Sequence, residues 1–412
     1  MRGEAVDGVC PRGLGAGDRQ HDRERAADRR QQQLLAATPP MGWSSWNALG
    51  CGVDENAVRG NADAMVSSGM AALGYTYVDI DDCWMAPQRD ARGRLHADLQ
   101  RFPSGIKALA DYVHAKGLKL GIYASAGTAT CQNLPGSLDH ENTDAATFAE
   151  WGVDLLKYDN CDNPGRPAVE RFTAMGNALE ASGRDIVYSI SDWGDEQSWR
   201  WASNAGGHYW RTFDDITDSW DAVIIIVEQQ AGLARYSRPH GWNDPDMLEV
   251  GNGGMTTDEY RAHVSLWALL NAPLIAGNDL RSMDATTRGL LTNPEVIAVD
   301  QNWGGVAGDR VAGVGDLEIW AKPMSTGGAA VVLLNRGLGG MEIATSPADL
   351  GLRRADEYNV RDLWAHTTTV TSGDVDTWVP PHAAKMFLVS PSLSPCMCGT
   401  SGPEAPKSRN PR

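Results

Sequence analysis

The chain has no apolar run approaching the ~18 residues that a membrane-spanning helix needs. Its longest candidate, Ala222 to Val227, is far too short, so it reads as a globular protein with no membrane partner. It also lacks a basic cluster outside its N-terminal arm and carries a formal charge of -17. A polyanion is repelled by such a surface, which argues against nucleic acid as a partner and favours a neutral or cationic ligand. No Gly-x-Gly-x-x-Gly follows the first strand-like run, so a dinucleotide cofactor has no fingerprint. Phe is scarce, at 5 residues against 15 Trp. That choice favours a ring with a broad apolar face and one N–H donor, suited to stacking on the C–H face of a sugar.

Cysteine is present but not in metal-binding or dithiol form. None of Cys51, Cys83, Cys131 and Cys161 makes a Cys-x-x-Cys pair, and disulfides are the better reading. Disulfides point to an extracellular or other oxidising compartment. Residues 1–37 alternate Arg, Asp and Glu without an apolar segment of signal-peptide type and read as a disordered arm. Residues 391–412, rich in Pro and Ser and containing Cys396 and Cys398, read as a disordered tail.

With 412 residues and 42% hydrophobic content the chain can bury a large core. From Pro40 onward, apolar runs alternate with amphipathic segments, the pattern of repeated βα units. Eight strands are expected at Met41–Trp46, Tyr75–Asp81, Leu118–Ala124, Val153–Asp159, Ile186–Ser191, His208–Phe213, Gly241–Asn243 and Pro273–Ala276. Helices are expected between them, among others at Asp54–Leu73 and Thr257–Leu270. Eight such units match a (β/α)8 TIM barrel over residues 38–308, with a doubly wound sheet as the fallback. Beyond it, short segments such as Leu317–Ala321, Ala329–Leu334, Glu342–Ala344, Tyr358–Asp362 and Lys385–Leu388 predict a C-terminal antiparallel β-sandwich over 309–390.

In a TIM barrel the site forms at the C-terminal ends of the strands. Those ends carry Trp46, Asp81 with Asp82, Tyr123, Lys157 with Asp159, Asp192 with Trp193, Arg211 with Asp214 and Asp215, Trp242 with Asp244 and Asp246, and Asn278 with Asp279. Lys157 and Asp159 are two apart on a strand and share a face, and a cation beside a carboxylate holds it ionised. An ionised carboxylate facing a protonatable one is the equipment of glycoside hydrolysis. Asp159 and Asp215 are therefore the candidate pair, with Asp214 and Asp218 as capping or surface acids. So many acids could instead hold calcium or magnesium. Lys157 and Arg211 would repel the ion, however, and no His stands in ligand spacing beside them.

The segments Thr38-Pro39-Pro40-Met41-Gly42-Trp43 with Trp46-Asn47, Val78 to Trp84, Leu156 to Cys161, Trp210-Arg211 with Asp215-Ile216, and Gly241 to Leu248 resemble the signature blocks of the α-galactosidases of glycoside hydrolase family 27. They occur in family order across residues 38 to 390. The resemblance implies a retaining double displacement at an α-galactosyl bond, with no metal or organic cofactor and a small carbohydrate as partner. It makes Asp159 the nucleophile and Asp215 the acid/base, and it matches Asp81 and Asp82 to the pair that binds the sugar's O4 and O6 hydroxyls. Trp46, Tyr123, Lys157, Arg211, Asp246 and Met247 match the remaining lining. It also pairs Cys51 with Cys83 and Cys131 with Cys161.

One departure stands out. Where many members carry Cys-Glu-Trp after the fifth strand, this chain has Ser191-Asp192-Trp193, so the acid expected to meet the sugar's O2 hydroxyl is one methylene shorter. Relatives acting on β-L-arabinopyranosides or α-glucans share the catalytic pair and form the alternative substrate classes. An acid at 192 argues against an acetamido sugar. The alternatives from other classes are a sugar-binding protein without catalysis and a metal-dependent lyase or isomerase.

Overall fold

A computed structural model of the chain describes residues 35–392. The strands β1 (Met41–Ser44), β2 (Tyr77–Ile80), β3 (Lys119–Ser125), β4 (Leu155–Asp159), β5 (Val187–Ser191), β6 (Tyr209–Arg211), β7 (Trp242–Asp244) and β8 (Leu274–Ala276) form one parallel sheet. β1 pairs with both β2 and β8, and a parallel bridge from Leu248 to Ala276 ties the segment after β7 to β8, so the sheet curls into a (β/α)8 barrel. Short parallel strands buried on both faces require outer helices, and the chain supplies them after nearly every strand.

Alternation along each strand sorts the interior into layers. Tyr77, Leu155, Val187, Tyr209 and Trp242 make an apolar cluster at the N-terminal end, covered by Leu35, Ala36 and Trp303. Two residues further along the same strands stand Asp79, Lys157, Ser189, Arg211 and Asp244, and beyond these Asp81 and Asp159. The barrel is thus apolar at its base and charged towards its mouth. The disordered arm expected over residues 1–37 ends earlier, because the Ala36 carbonyl accepts from the Trp242 indole at 2.8 Å and from the His240 amide at 2.9 Å. The expected tail begins two residues late, because Pro391, in the last described strand, pairs with Tyr358 and the Ser392 amide donates to the Glu357 carbonyl at 2.8 Å. The rest of it, with Cys396 and Cys398, and the rest of the arm lie outside the described residues.

The helix expected at Asp54–Leu73 is shorter. Asp54 caps it, accepting from the Ala57 amide at 2.7 Å, and it runs Glu55–Ser67 before Gly69 takes φ 91° and a separate 3-10 turn forms at Ala71–Leu73. Glycine accepts the left-handed conformation that ends the helix. The helix Thr257–Leu270 has the expected bounds, opened by a Thr256/Glu259 capping box. Ten of its 14 residues are buried because the barrel covers one side and the second domain the other.

That second domain begins with β9 (Asp309–Val314), β10 (Leu317–Pro323) and β11 (Ala329–Asn335). It continues through β12 (Met341–Thr345), β13 (Tyr358–Asp362), β14 (Thr367–Thr371), β15 (Val375–Val379) and β16 (Ala383–Pro391). Six strands form an antiparallel sheet in the order β14-β13-β16-β11-β10-β9, and β12 pairs with β15 across its outer face. One face of the larger sheet, with Trp320, Val332, Leu334 and Met386, joins the barrel core. The other, with Val331, Leu333 and Val389, packs on Ile343, Val375 and Val379 to make the sandwich. Burying each such side chain contributes roughly 1.5–3 kcal/mol, so the joint is a continuous core. Among the described residues no helix is long and apolar enough to cross a membrane.

Candidate active site

The loops at the C-terminal ends of the strands enclose a hollow lined by Trp46, Asn47, Asp81, Asp82, Tyr123, Cys131, Lys157, Asp159, Asp215, Ile216, Asp246 and Met247. The structure thus gathers nine of the twelve residues expected there, including both candidate catalytic acids. Asn47, Cys131 and Ile216 were not expected, although Asn47 and Ile216 directly follow named residues. Among the described residues a larger surface hollow lies beside Gly176, Arg184 and His208 at the barrel base, with Glu180 and Asp185 as its acids.

Each acid is aimed by its own strand end. Asp159 ends β4, where the Tyr123 hydroxyl donates to its Oδ2 at 2.8 Å and the Asn160 amide to its Oδ1 at 3.0 Å. Asp81 follows β2 and accepts from Lys157 Nζ at 2.6 Å and from the Asp82 amide at 2.8 Å. Asp82 accepts from the Cys83 amide at 2.6 Å and the Gln132 amide at 3.1 Å. Asp246, at φ 83°, accepts from the Ile216 amide at 2.8 Å and the Met247 amide at 2.8 Å. These bonds fix rotamers before any ligand arrives, which is the preorganisation that selective binding requires.

Asp215 is held differently. Arg211, fully buried on β6, donates to its Oδ1 at 2.8 Å and lies 3.2 Å from Asp246 Oδ2, while the Asp215 side chain itself is 64% exposed. Arg211 therefore sits beneath the two acids and acts through them. Asp192 departs further from expectation. Its carboxylate turns back into its own loop, accepting from the Gly194 amide at 3.1 Å and the Glu196 amide at 3.3 Å. A short acid readily closes such an Asx-type turn. Neither Asp192 nor the half-buried Trp193, at φ 57°, lines the hollow. Asp218, the alternative acid, accepts from the Tyr260 hydroxyl at 2.9 Å and serves the loop.

Two forces set the charges. Burial pushes Asp159 up to about 6, against the opposing pull of Lys157 and the Tyr123 hydroxyl. Burial also raises Asp215, but the Arg211 and Lys157 charges outweigh it and hold that carboxyl below the usual range. Solvent weakens that hold, given the exposure of the side chain. For Lys157, burial opposes the charge, yet Asp81, Asp159 and Asp246 together keep it firmly protonated. One further acid outside the hollow holds Asn47 in place. Glu249, raised to about 7 by burial, accepts from the Asn47 and Asn252 amides.

The disulfides Cys51–Cys83 and Cys131–Cys161, with Cα separations of 5.2 and 5.1 Å, staple the loops around this hollow. They fit an oxidising compartment. The one group of donor atoms in metal-ligand spacing among the described residues is Cys131, Asp159 and Cys161. Its two sulfurs are joined to each other and offer no thiolate, so this donor set does not suit an ion.

The family model described as alpha galactosidase A matches residues 38–302, and that of the alpha galactosidase C-terminal beta sandwich domain matches 314–389. The α-galactosidase of Coffea arabica is 53% identical over 359 residues, which cover 87% of this chain and 95% of that protein. That of Cyamopsis tetragonoloba is 52% identical over 359 residues, 87% of each. The crystal structure of α-galactosidase I from Mortierella vinacea superposes with a TM-score of 0.84 at 39% identity, covering 87% of this chain and 98% of that one. With family models matched over both its barrel and its sandwich, and with relatives more than 50% identical along most of its length, the chain belongs to the α-galactosidases of glycoside hydrolase family 27.

Proposed function

We propose that the protein is a retaining exo-glycosidase that releases terminal α-D-galactosyl residues by double displacement. An Asp159 oxygen attacks the anomeric carbon as the glycosidic C–O bond breaks, and Asp215 gives its proton to the departing oxygen. Asp215 then takes a proton from water, whose oxygen displaces Asp159 and restores the α configuration. Retention calls for carboxyl groups ~5–5.5 Å apart, against ~6.5–9.5 Å for inversion. The observation that carries this reading is that Asp159 after the fourth strand and Asp215 after the sixth face one hollow together with Asp81 and Asp82.

Asp81 and Asp82 are assigned to the O4 and O6 hydroxyls. Their fixed acceptors would be left unpaired by a sugar whose O4 points elsewhere, which disfavours glucose. A panel of p-nitrophenyl glycosides tests the assignment. The α-galactoside is expected to be cleaved with the highest kcat/KM, at least ~10-fold above the β-L-arabinopyranoside, α-glucoside and α-N-acetylgalactosaminide. Preference for any of these three would overturn it.

The charge arrangement makes a prediction about pH. With a single proton on the pair, Arg211 and burial favour its residence on Asp159, whereas attack requires it on Asp215; both tautomers belong to one macroscopic state. Activity should follow that state. The last proton leaves as pH rises through about 6, so kcat/KM falls on the alkaline side of that value and again in strong acid, where both carboxyls are protonated. Filling the hollow removes water from exposed Asp215 and raises its proton affinity, moving the proton to where the acid step uses it. A pH–rate profile of kcat/KM rising from pH 6 to pH 8 would contradict this.

A further inference from the structure

Asp79 lies on β2, two residues before Asp81, and its carboxyl points into the barrel interior rather than the hollow. It is 5% exposed, and its Oδ1 has no hydrogen-bond partner. The space it occupies exists because β3 carries glycine opposite it. Asp79 pairs in register with Gly121, where any β-carbon would overlap the carboxylate. Such a cradle, built around a group left without a partner, costs stability and calls for a reason.

The surroundings supply one. Charged and titratable groups reach Asp79 from several strands: Asp81 on its own chain segment, Lys157 on β4 and Tyr209 on β6, with Asp244 on β7 facing the same tyrosine. Its immediate neighbours in register, Ser44 on β1 and Gly121 on β3, carry no charge. Lys157 is the cation that acts on Asp79, and its ammonium is committed to Asp81 at 2.6 Å, while Arg211, in the same layer on β6, faces Asp244 and is committed to Asp215 and Asp246. Burial, reinforced by the Asp81 charge and opposed by Lys157, raises Asp79 to about 8. At the acidic pH where the catalytic pair works it is therefore an uncharged acid.

We propose that Asp79 is a positioning residue for the sugar site: while neutral it leaves the Lys157 charge to Asp81 and Asp159, and once ionised it draws that charge downward and switches sugar binding off. The inference rests on the hollow being the galactose site. It adds an alkaline limit to binding that is separate from the catalytic pair, because binding of galactose needs no proton transfer.

The test is calorimetric titration of galactose into the intact protein and into Asp79→Asn, at about pH 5 and about pH 9. Binding by the parent is expected to weaken about tenfold for each pH unit above the Asp79 transition, and binding by the variant to change far less. Asp79→Ser, also uncharged, is expected to flatten the pH dependence in the same way and guards against an Asn-specific packing defect. Thermal unfolding provides a readout that does not depend on the sugar. A carboxyl whose folded value is raised contributes stability that is fully present below its unfolded value and lost as pH rises through about 8, so the variants should lose less of their thermal midpoint over that range than the parent. Parallel loss of galactose affinity in parent and variants would overturn the role of Asp79 while leaving the site in place. Failure of the parent to bind galactose at about pH 5 would overturn the site reading and this inference together.

Discussion

Replacing Asp159 with Asn is expected to lower kcat for an α-galactoside by roughly 10⁴-fold or more, the scale on which loss of a covalent nucleophile acts. The amide keeps the shape of the acid and can still accept from the Tyr123 hydroxyl, so substrate binding should change little and the loss should fall on kcat rather than KM. The fold should persist or strengthen. Burial raises Asp159 to about 6, so at neutral pH its ionised form is held against the cost of desolvation, which Asn does not incur. A thermal midpoint at neutral pH equal to or above the parent's, with activity near background, is the expected combination. Normal turnover by the variant would remove Asp159 from the chemistry.

Asp215→Ala is expected to separate substrates by their leaving groups. A general acid contributes ~10²–10⁴-fold, and only where the departing oxygen needs a proton. Hydrolysis of an oligosaccharide should fall by that factor, whereas first-step cleavage of an aryl galactoside with a stable phenolate should fall much less. The second step then becomes slow for every substrate, because no base is left to activate water. A burst of phenolate followed by a slow steady state is the signature. External azide, a nucleophile that needs no base, should restore turnover. Equal losses for the oligosaccharide and the activated aryl substrate would deny Asp215 the acid role.

The barrel could be read from the chain because most of its strands are short apolar runs closed by polar residues that alternate with amphipathic segments, the pattern of a buried parallel sheet. All eight strand positions were recovered on that ground. What escaped were β9 and β14, whose side chains are largely exposed, and β15, where only Val375 and Val379 are buried; their Thr, Gly and Asp content resembles loop. Their pairing partners decide them, and partners lie far away in sequence. The site was legible for residues whose direction follows from strand alternation, such as Lys157 and Asp159. It was not legible at Asp192, just past β5, where alternation ends and the backbone amides of Gly194 and Glu196 compete for the carboxylate. Arg211 was placed in the lining although it lies one layer beneath, since the sequence shows its strand but not its depth. Leu35 and Ala36 looked like the polar arm they follow, and only the Trp242 indole and the His240 amide reveal them as the cover of the barrel base.

In the proposed mechanism Asp159 forms a covalent bond to the sugar. That bond is tested most directly by incubating the protein with a fluorinated galactosyl substrate bearing a good leaving group, whose electron-poor ring slows breakdown of the glycosyl-enzyme, followed by proteolysis and mass spectrometry. One galactosyl-derived increment is expected, confined to the peptide containing Leu156-Lys157-Tyr158-Asp159 and localised to Asp159. An increment on any other carboxylate, or rapid turnover with inversion and no label at all, would contradict it.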